Sequence, residues 1–475
     1  MDKSLQLKDF LELTYKELED LNVKARTITD QAEAKKVHTK YLAGESRIKA
    51  VTLCFSDIEG CLHMLDYNKL YFLDAYDNLT FDGSSIRGFS ELDESDLRLG
   101  VDWTSMTYLP SDIFGPGKVL LFANILKSDG TQYDSDFRGI LGELSKKLAK
   151  DGLVAQMAPE VEGFLMQGVD AEQNFRQKDG FELVSTGGYY HSLPLDQLRA
   201  FVDRTAEALR ALGYRNEKDH AEVAPSQFEI NFSHTDVLRA CDQILLYKLV
   251  CRQVATSMGM TATFLPKPKR RINGSGMHIN VSLARNGKNI FHEAKGDMGL
   301  SREGHEFVAK ILNRASDICL ILNSSVNAYR RLDPNFEAPN QINVSARNRG
   351  SMVRIPIGNE KSARVEIRSV APDSNPYLTM YALVKIGVYD ELPAEETGDK
   401  RTRLRYLPGT INDAIRVFKA SDYVTELLGE NPKTKYTKWK QEAANRSPRE
   451  LGAKVKDDEV LYHHEVTNQF LWNLF

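Results

Sequence analysis

The chain has 475 residues, 42% of them hydrophobic, and a formal net charge of −4. That length is more than one hydrophobic core usually serves, so two or more domains are expected. The slight acidity provides no global field for nucleic acid or anionic lipid, and no apolar run reaches the ~18 residues that cross a bilayer, so neither kind of partner is expected.

Residues 1–45 set Leu7, Phe10, Leu11, Leu18 and Leu21 at mixed helical spacing among Lys and Glu, which predicts an accessory extension of one or two amphipathic helices. The start lacks the basic and apolar regions of a signal peptide, and a cytoplasmic location is expected. From 46 to 135, short β-rich runs at 51–55 and 119–126 alternate with Gly, Pro, Asp and Ser, the pattern of a small sheet domain. A polar, turn-rich stretch at 128–136 closes it. Helical spacing over 137–150 then opens a larger domain, 136–475, in which helices are predicted over 195–212, 237–257, 302–322 and 411–428. Residues 391–405 read as an exposed loop. Cys54, Cys61, Cys241, Cys251 and Cys319 are odd in number and show no CxxC spacing, so they read as small core residues of a reducing compartment.

The chemistry lies between the predicted helices. Glu160-Val161-Glu162 falls in a strand-like run, where side chains at i and i+2 point the same way. With Leu153, Val154, Met157, Phe164 and Leu165 around them, two bare carboxylates would be costly to bury unless a cation lay between them. Glu222 and Glu229 flank a turn at Pro225 that could return both to one point; a polar loop with a chance pair has the same spelling. In the segment 277–282, His278, Asn280 and Ser282 share one face and Met277, Ile279 and Val281 the other. The preceding Asn273-Gly274-Ser275-Gly276 lets backbone approach a ligand closely, although it would serve equally as a plain connection. Glu366 sits two residues before Arg368 on another alternating segment. Five Glu and one His make a ligand set for two divalent ions, Mg2+ or Mn2+.

Arg330, Arg331, Arg347, Arg349, Arg354, Arg364 and Arg368 crowd into about forty residues, and the guanidinium fork suits carboxylate and phosphate. The run Lys267-Pro-Lys-Arg-Arg271 reads as a solvated loop rather than a nucleic-acid patch. An oxygen-rich two-cation cluster beside an Arg field describes phosphoryl transfer from a nucleotide to a carboxylate-bearing substrate.

Several motifs occur in one order: Phe81-Asp-Gly-Ser-Ser-Ile-Arg-Gly-Phe with Glu94-Ser-Asp96, Pro159-Glu-Val-Glu162, Gly187-Gly-Tyr189, Glu222-Val-Ala-Pro-Ser-Gln-Phe-Glu229, Asn273-Gly-Ser-Gly-Met-His278, Arg331-Leu-Asp-Pro-Asn-Phe-Glu-Ala-Pro339, Ser345-Ala-Arg-Asn-Arg349 and Asn375-Pro-Tyr-Leu378. With them, the chain from about Lys49 onward resembles glutamine synthetase of the bacterial and archaeal type I class. The resemblance implies an α+β protein with an N-terminal β-grasp domain and a C-terminal catalytic domain built on a curved antiparallel sheet with surrounding helices. It implies a homo-oligomer, a dodecamer of two stacked hexameric rings with sites between subunits. Glu162, Glu222 and Glu229 would hold one metal, and Glu160, His278 and Glu366 the other.

The same resemblance implies glutamate, ammonium and ATP as substrates. ATP would phosphorylate the γ-carboxylate and ammonia would attack the resulting acyl phosphate. Arg331 and Arg368, with Asn273 and Gly274, would bind glutamate; Ser282, Arg354, Lys361 and Arg364 would face the nucleotide. Arg349 would neutralise the transferred group. Asp82 from a neighbouring subunit would deprotonate ammonium in a pocket shared with Ser85, Tyr189 and Glu222, and Glu337 would close as a flap. Gly163, Ala221 and Ser226 depart from the family's usual residues without removing a ligand, and the adenylylation loop of some members has no counterpart near 391–405. Rival readings are a γ-glutamyl-amide ligase using a polyamine or alkylamine and a non-catalytic nitrogen-sensing protein.

Overall fold

The computed structural model describes residues 13–86, 88–91, 95–169, 171, 181–269, 271–392 and 404–449. The leucines of the first twelve residues, Glu94 and most of the 391–405 loop lie outside them.

Two helices precede the first sheet. Thr14 opens α1 (Tyr15–Ala25) with a capping box closed by Glu17, and Asp30 caps α2 (Gln31–Gly44). Asn22 of α1 is buried and bridges two later segments: its amide donates to the carbonyls of Tyr108 (2.9 Å) and Ala211 (2.8 Å) and accepts from the Tyr108 N–H (2.8 Å). The extension is thereby fastened to both larger parts of the molecule.

Next come β1 (Ala50–Ser56), β2 (Leu62–Asn68), α3 (Lys69–Ala75), β3 (Thr80–Asp82), β4 (Asp96–Tyr108), α4 (Ser111–Phe114) and β5 (Lys118–Leu126). They form one sheet in the order β2-β1-β5-β4-β3, with β1 and β5 parallel at its centre, the β-grasp arrangement. The apolar runs at 51–55 and 119–126 are these two central strands, buried on both faces and hence continuous rather than alternating in the sequence.

After α5 (Phe137–Lys150) the chain builds a second, curled sheet. Its strands are β6 (Leu153–Gln167), β7 (Asn216–Ala221), β8 (Gln227–Phe232), β9 (Thr235–Asp236), β10 (Met260–Thr263), β11 (Met277–Arg285), β12 (Lys288–Asn289), β13 (Gln341–Ser345), β14 (Ser351–Arg354) and β15 (Val365–Ile367). The main path runs β13-β14-β15-β11-β6-β8-β7, a half-barrel antiparallel throughout except for the parallel β13–β14 pair. Around it pack α6 (Gln197–Ala211), α7 (Val237–Ser257), α8 (Arg302–Arg314), α9 (Cys319–Leu322), α10 (Val326–Arg331), α11 (Pro376–Tyr389), α12 (Ile411–Ala420), α13 (Asp422–Leu428) and α14 (Glu430–Arg449). Among the described residues no helix is long and apolar enough to cross a membrane.

Three expectations need correction. The helix expected over 302–322 is two, because residues 318–322 are apolar on every side and fully buried, so they leave the amphipathic line of α8 for the core. The one expected over 411–428 breaks at Ser421, which is extended and caps Val424 with its hydroxyl. Lys267 is not solvated: it is 0% exposed, and Asn327 grips its backbone from both sides, accepting from its N–H (2.6 Å) and donating to its carbonyl (2.9 Å). Its ammonium donates to the Ile272 carbonyl and lies 3.8 Å from the centre of the Phe336 ring.

The two sheets meet over a buried ion cluster. Arg138 of α5 donates to both carboxylate oxygens of Asp242 (2.8 and 2.7 Å), to Asp102 of β4 (2.7 Å) and to the side-chain oxygen of Asn124 (2.7 Å). Tyr377 of α11 adds a fifth bond, to Asp242 (2.6 Å).

Candidate active site

Strand register assembles the site. Across β15, β11, β6, β8 and β7, the cross-strand partners are Asn280 with Glu366, His278 with Glu160, Glu162 with Glu229, and Glu229 with His220. Directly opposed residues have Cβ atoms ~4.5–5.5 Å apart, so side chains scattered between Glu160 and Glu366 along the chain become neighbours. Glu222 returns through the turn after β7, where Ser226 takes a left-handed φ of 61°. The Ser226 hydroxyl accepts from the Val184 and Ser185 N–H groups (both 2.8 Å), which fixes the segment leading to Tyr189. Gly163 also acquires a reason: a Cβ there would come within 2.6 Å of the Phe228 ring, which fills that space.

Glu160, His278 and Glu366 offer ligand atoms that lie within 4.8 Å of one another. Nδ1 of His278 is 3.4 Å from Glu160 and 3.7 Å from Glu366. Cations brace this group: Arg354 (2.6 Å) and Arg368 (2.5 Å) bind Glu366, and Asn280 donates to Glu160 (2.9 Å). Burial opposes the Glu160 charge, but His278 and Asn280 override it and lower its pKa to about 2. For His278, burial and then the Arg368 charge favour the neutral imidazole, the form that binds metal.

The second compact group is His220, Glu222 and Glu229, again within 4.8 Å. Glu162 stands between the two groups, with one oxygen engaged by Gln227 (3.1 Å) and the Gly276 N–H (2.9 Å) and the other 3.8 Å from His278. Burial, then Glu229 and Glu222, push the Glu162 carboxyl well up, while burial and Glu229 raise Glu222 to about 7. Burial works against a charged His220, but Glu229 outweighs it and the pKa rises. These carboxylates face one another with too little positive charge, and oxygen donors with an imidazole suit Mg2+ or Mn2+.

All six proposed ligands line one cavity of about 260 Å³, together with Tyr189, Asn273, Gly274, Arg331, Glu337, Arg349, Arg354, Arg364 and Arg368. Glu337 itself adopts a left-handed φ of 61° and accepts from the Asn273 amide (3.2 Å). Arg331 is buried, donating to the Arg368 carbonyl (3.0 Å), and burial lowers its pKa to about 10. An adjoining cavity of about 500 Å³ holds Ser282 and Lys361 along with Asn231, His234 and Asn280, and shares Glu160, Lys218 and Arg364 with the first. Arg364 is fixed there by donation to Asn280 (2.8 Å). Arg354, expected to face the nucleotide, lines the first cavity and is paired with Glu366.

Asp82 and Ser85 are not brought to this place. They sit on the exposed tip of β3 in the β-grasp sheet, where Ser84 and then Ser85 hydrogen-bond the Asp82 carboxylate and lower its pKa. The sequence reading missed His220, although it stands two before Glu222 on a strand, the same i, i+2 signal that singled out Glu160 and Glu162. It also missed Asn231, which donates to Glu229 (2.7 Å).

Residues 47–128 match the family model described as glutamine synthetase, beta-Grasp domain, and residues 134–456 the one described as glutamine synthetase, catalytic domain. The chain is 33% identical over 436 residues to the glutamine synthetase of Thermotoga maritima, covering 89% of this chain and 97% of that one. It is 34% identical over 429 residues to that of Thermus thermophilus, covering 85% and 93%. Among solved structures it resembles Plasmodium falciparum glutamine synthetase (TM-score 0.77, 21% identity, 92% of this chain and 99% of that chain) and a GmaS/ADP complex (TM-score 0.75, 22% identity, 91% and 100%). At those identities the structural likeness is one of fold. With both domains matched and relatives a third identical along nearly their whole length, this chain belongs to the glutamine synthetase family.

Proposed function

We propose that the protein is an ATP-dependent ligase that joins ammonia to the γ-carboxylate of glutamate through a γ-glutamyl phosphate. Family membership suggests an ATP-dependent ligase with divalent metals; the finer reading rests on the convergence of six ligand residues and an Arg cluster on one cavity beside a second, cationic one.

In this reading the chain divides into an accessory extension, 1–45, a β-grasp domain, 46–135, and a catalytic domain, 136–475. Glu160, His278 and Glu366 hold one cation; Glu162, Glu222 and Glu229 hold the other. Bound there, the cations supply positive charge to the phosphoryl oxygens. Ser282, Lys361 and Arg364 orient ATP, and Arg354, paired with Glu366 in the first cavity, faces the nucleotide from there. Arg331, Arg368, Asn273 and Gly274 seat glutamate, and Arg349 neutralises charge as the phosphoryl group moves in line. Glu337 closes over the acyl phosphate and keeps water from it.

Asp82 and Ser85 act on a neighbouring subunit's site, which makes the active unit an oligomer; a cytoplasmic dodecamer is the form we propose. There Asp82 takes the proton from ammonium held by Tyr189 and Glu222. A second reading has one observation in its favour. Tyr189 and Tyr190 stack at 3.9 Å on the exposed rim beside Glu222, a surface on which an alkylammonium could lie.

Turnover with ammonium, ethylamine, putrescine and spermine separates the two. Amide formation with ammonium is expected; ATP turnover supported only by an organic amine would remove ammonia as the acceptor. Replacement of Glu337 by Ala should suppress amide synthesis while nucleotide binding survives, and unaltered turnover would contradict the flap role.

A further inference from the structure

His220 is in place for a role that the ligand set above does not give it. It is only 6% exposed, and its Nε2 is a buried nitrogen without a hydrogen-bond partner. That nitrogen faces Glu229 Oε1 at 3.4 Å, and His220, Glu222 and Glu229 all offer donor atoms within 4.8 Å of one another. The other ring nitrogen, Nδ1, lies 3.1 Å from the Ala221 carbonyl oxygen, which can only accept, so Nδ1 carries hydrogen. In the neutral ring this leaves a lone pair on Nε2 directed at a carboxylate. Two acceptors face to face in a buried site need a proton or a cation between them. A carbonyl fixing one ring nitrogen while the other is aimed at a metal is the usual outer support of histidine ligation. The Tyr189 and Tyr190 rings pack edge-on against the imidazole, with centroids 5.7 and 4.8 Å away, and hold its plane.

We propose that His220 is a nitrogen ligand of the cation held by Glu222 and Glu229, so that each cation site carries one imidazole, His278 in one and His220 in the other. The inference rests on the two-cation reading of the site. An added imidazole shifts preference from Mg2+, which favours oxygen, toward Mn2+ and its neighbours.

Pulsed electron paramagnetic resonance of the Mn2+-loaded full-length protein reads directly bound nitrogen. Wild type should bind two Mn2+ per chain with nitrogen on each. His278→Gln should retain nitrogen-coordinated Mn2+, and the double variant with His220→Gln should lose it. In His220→Gln alone, Mn2+ affinity should fall about tenfold and Mg2+ affinity by less than about threefold. Mn2+ bound to His278→Gln without coordinated nitrogen would overturn the inference and point to an imidazolium paired with Glu229; this arm does not depend on the folding of a His220 variant. Equal losses for both metals would also overturn it, because His220 would then act only through Glu229. Failure of wild type to bind two Mn2+ would instead overturn the two-cation reading beneath it.

Discussion

The molecule contains two kinds of buried ion cluster, and the contrast separates architecture from chemistry. At Arg138, one guanidinium meets Asp102, Asp242 and Asn124, each of its three nitrogens has a partner, and Tyr377 donates to Asp242. At the ligand cavity, Glu162, Glu222 and Glu229 press together, and Nε2 of His220 and the side-chain oxygen of Asn231 are left without partners. A cluster whose hydrogen bonds close within the chain holds a fold together; one that stays open is arranged for something the chain does not supply. Within the cavity the same difference recurs in milder form, since Arg354 and Arg368 brace Glu366 while no Arg reaches Glu222 or Glu229 among the described ion pairs.

Perturbing each cluster tests the contrast. The largest effect is expected at the closed one. Arg138→Met strands two buried carboxylates and should cost about 3–5 kcal/mol in denaturant unfolding. The protein that remains folded should keep its kcat within about twofold, because Arg138 touches neither cavity. A collapse of kcat at unchanged stability would erase the distinction.

Cations should stabilise the open cluster. Mn2+ at one hundred times its Kd should add about 2.7 kcal/mol to unfolding for each occupied site, an effect that chelation reverses and that Glu229→Ala removes for the site it lines. Thermal melts with and without metal measure it.

Next is the pH response of the metal-free protein. Glu222 has a folded pKa raised to about 7, above an ordinary value of 4.5. Between these values the folded state binds more protons than the unfolded one, so stability should fall as pH rises from 4.5 to 7. The decline should amount to about 2 kcal/mol, flatten in Glu222→Gln and vanish with saturating Mn2+. A metal-free protein that gains stability across that window would refute the open-cluster picture.

The smallest effect concerns the flap. Asn273→Ala removes one hydrogen bond to Glu337, worth about 1 kcal/mol. It should raise ATP hydrolysed per amide formed by about twofold to fivefold, and unchanged coupling would show that Asn273 does not steady Glu337.

Much of this was legible in the chain alone, for identifiable reasons. Period-2 alternation put Glu160 beside Glu162 and separated His278, Asn280 and Ser282 from Met277, Ile279 and Val281; β6 and β11 have those faces. Val237–Ser257 was legible as one helix, and the central β-grasp strands showed as apolar runs. The breaks after Arg314 and at Ser421 were less legible, since periodicity measures an average over a window and a single capping hydroxyl or a change of buried face interrupts it locally. Lys267 was misread because a run of basic residues resembles a solvated face, and partners far along the chain, Asn327 and Phe336, hold that lysine inside.

The sequence by itself determined the elements, the family and the list of acidic and cationic residues, because those depend on local spacing and on residue order. Which of them meet was decided in three dimensions. Strand register sets His220 opposite Glu229 and Asn280 opposite Glu366, and it leaves Asp82 on a distant edge. Register and burial together also decide charge balance: the same carboxylate is a strut beside Arg138 and an open ligand beside Glu162, a difference made by neighbours that lie far apart along the chain.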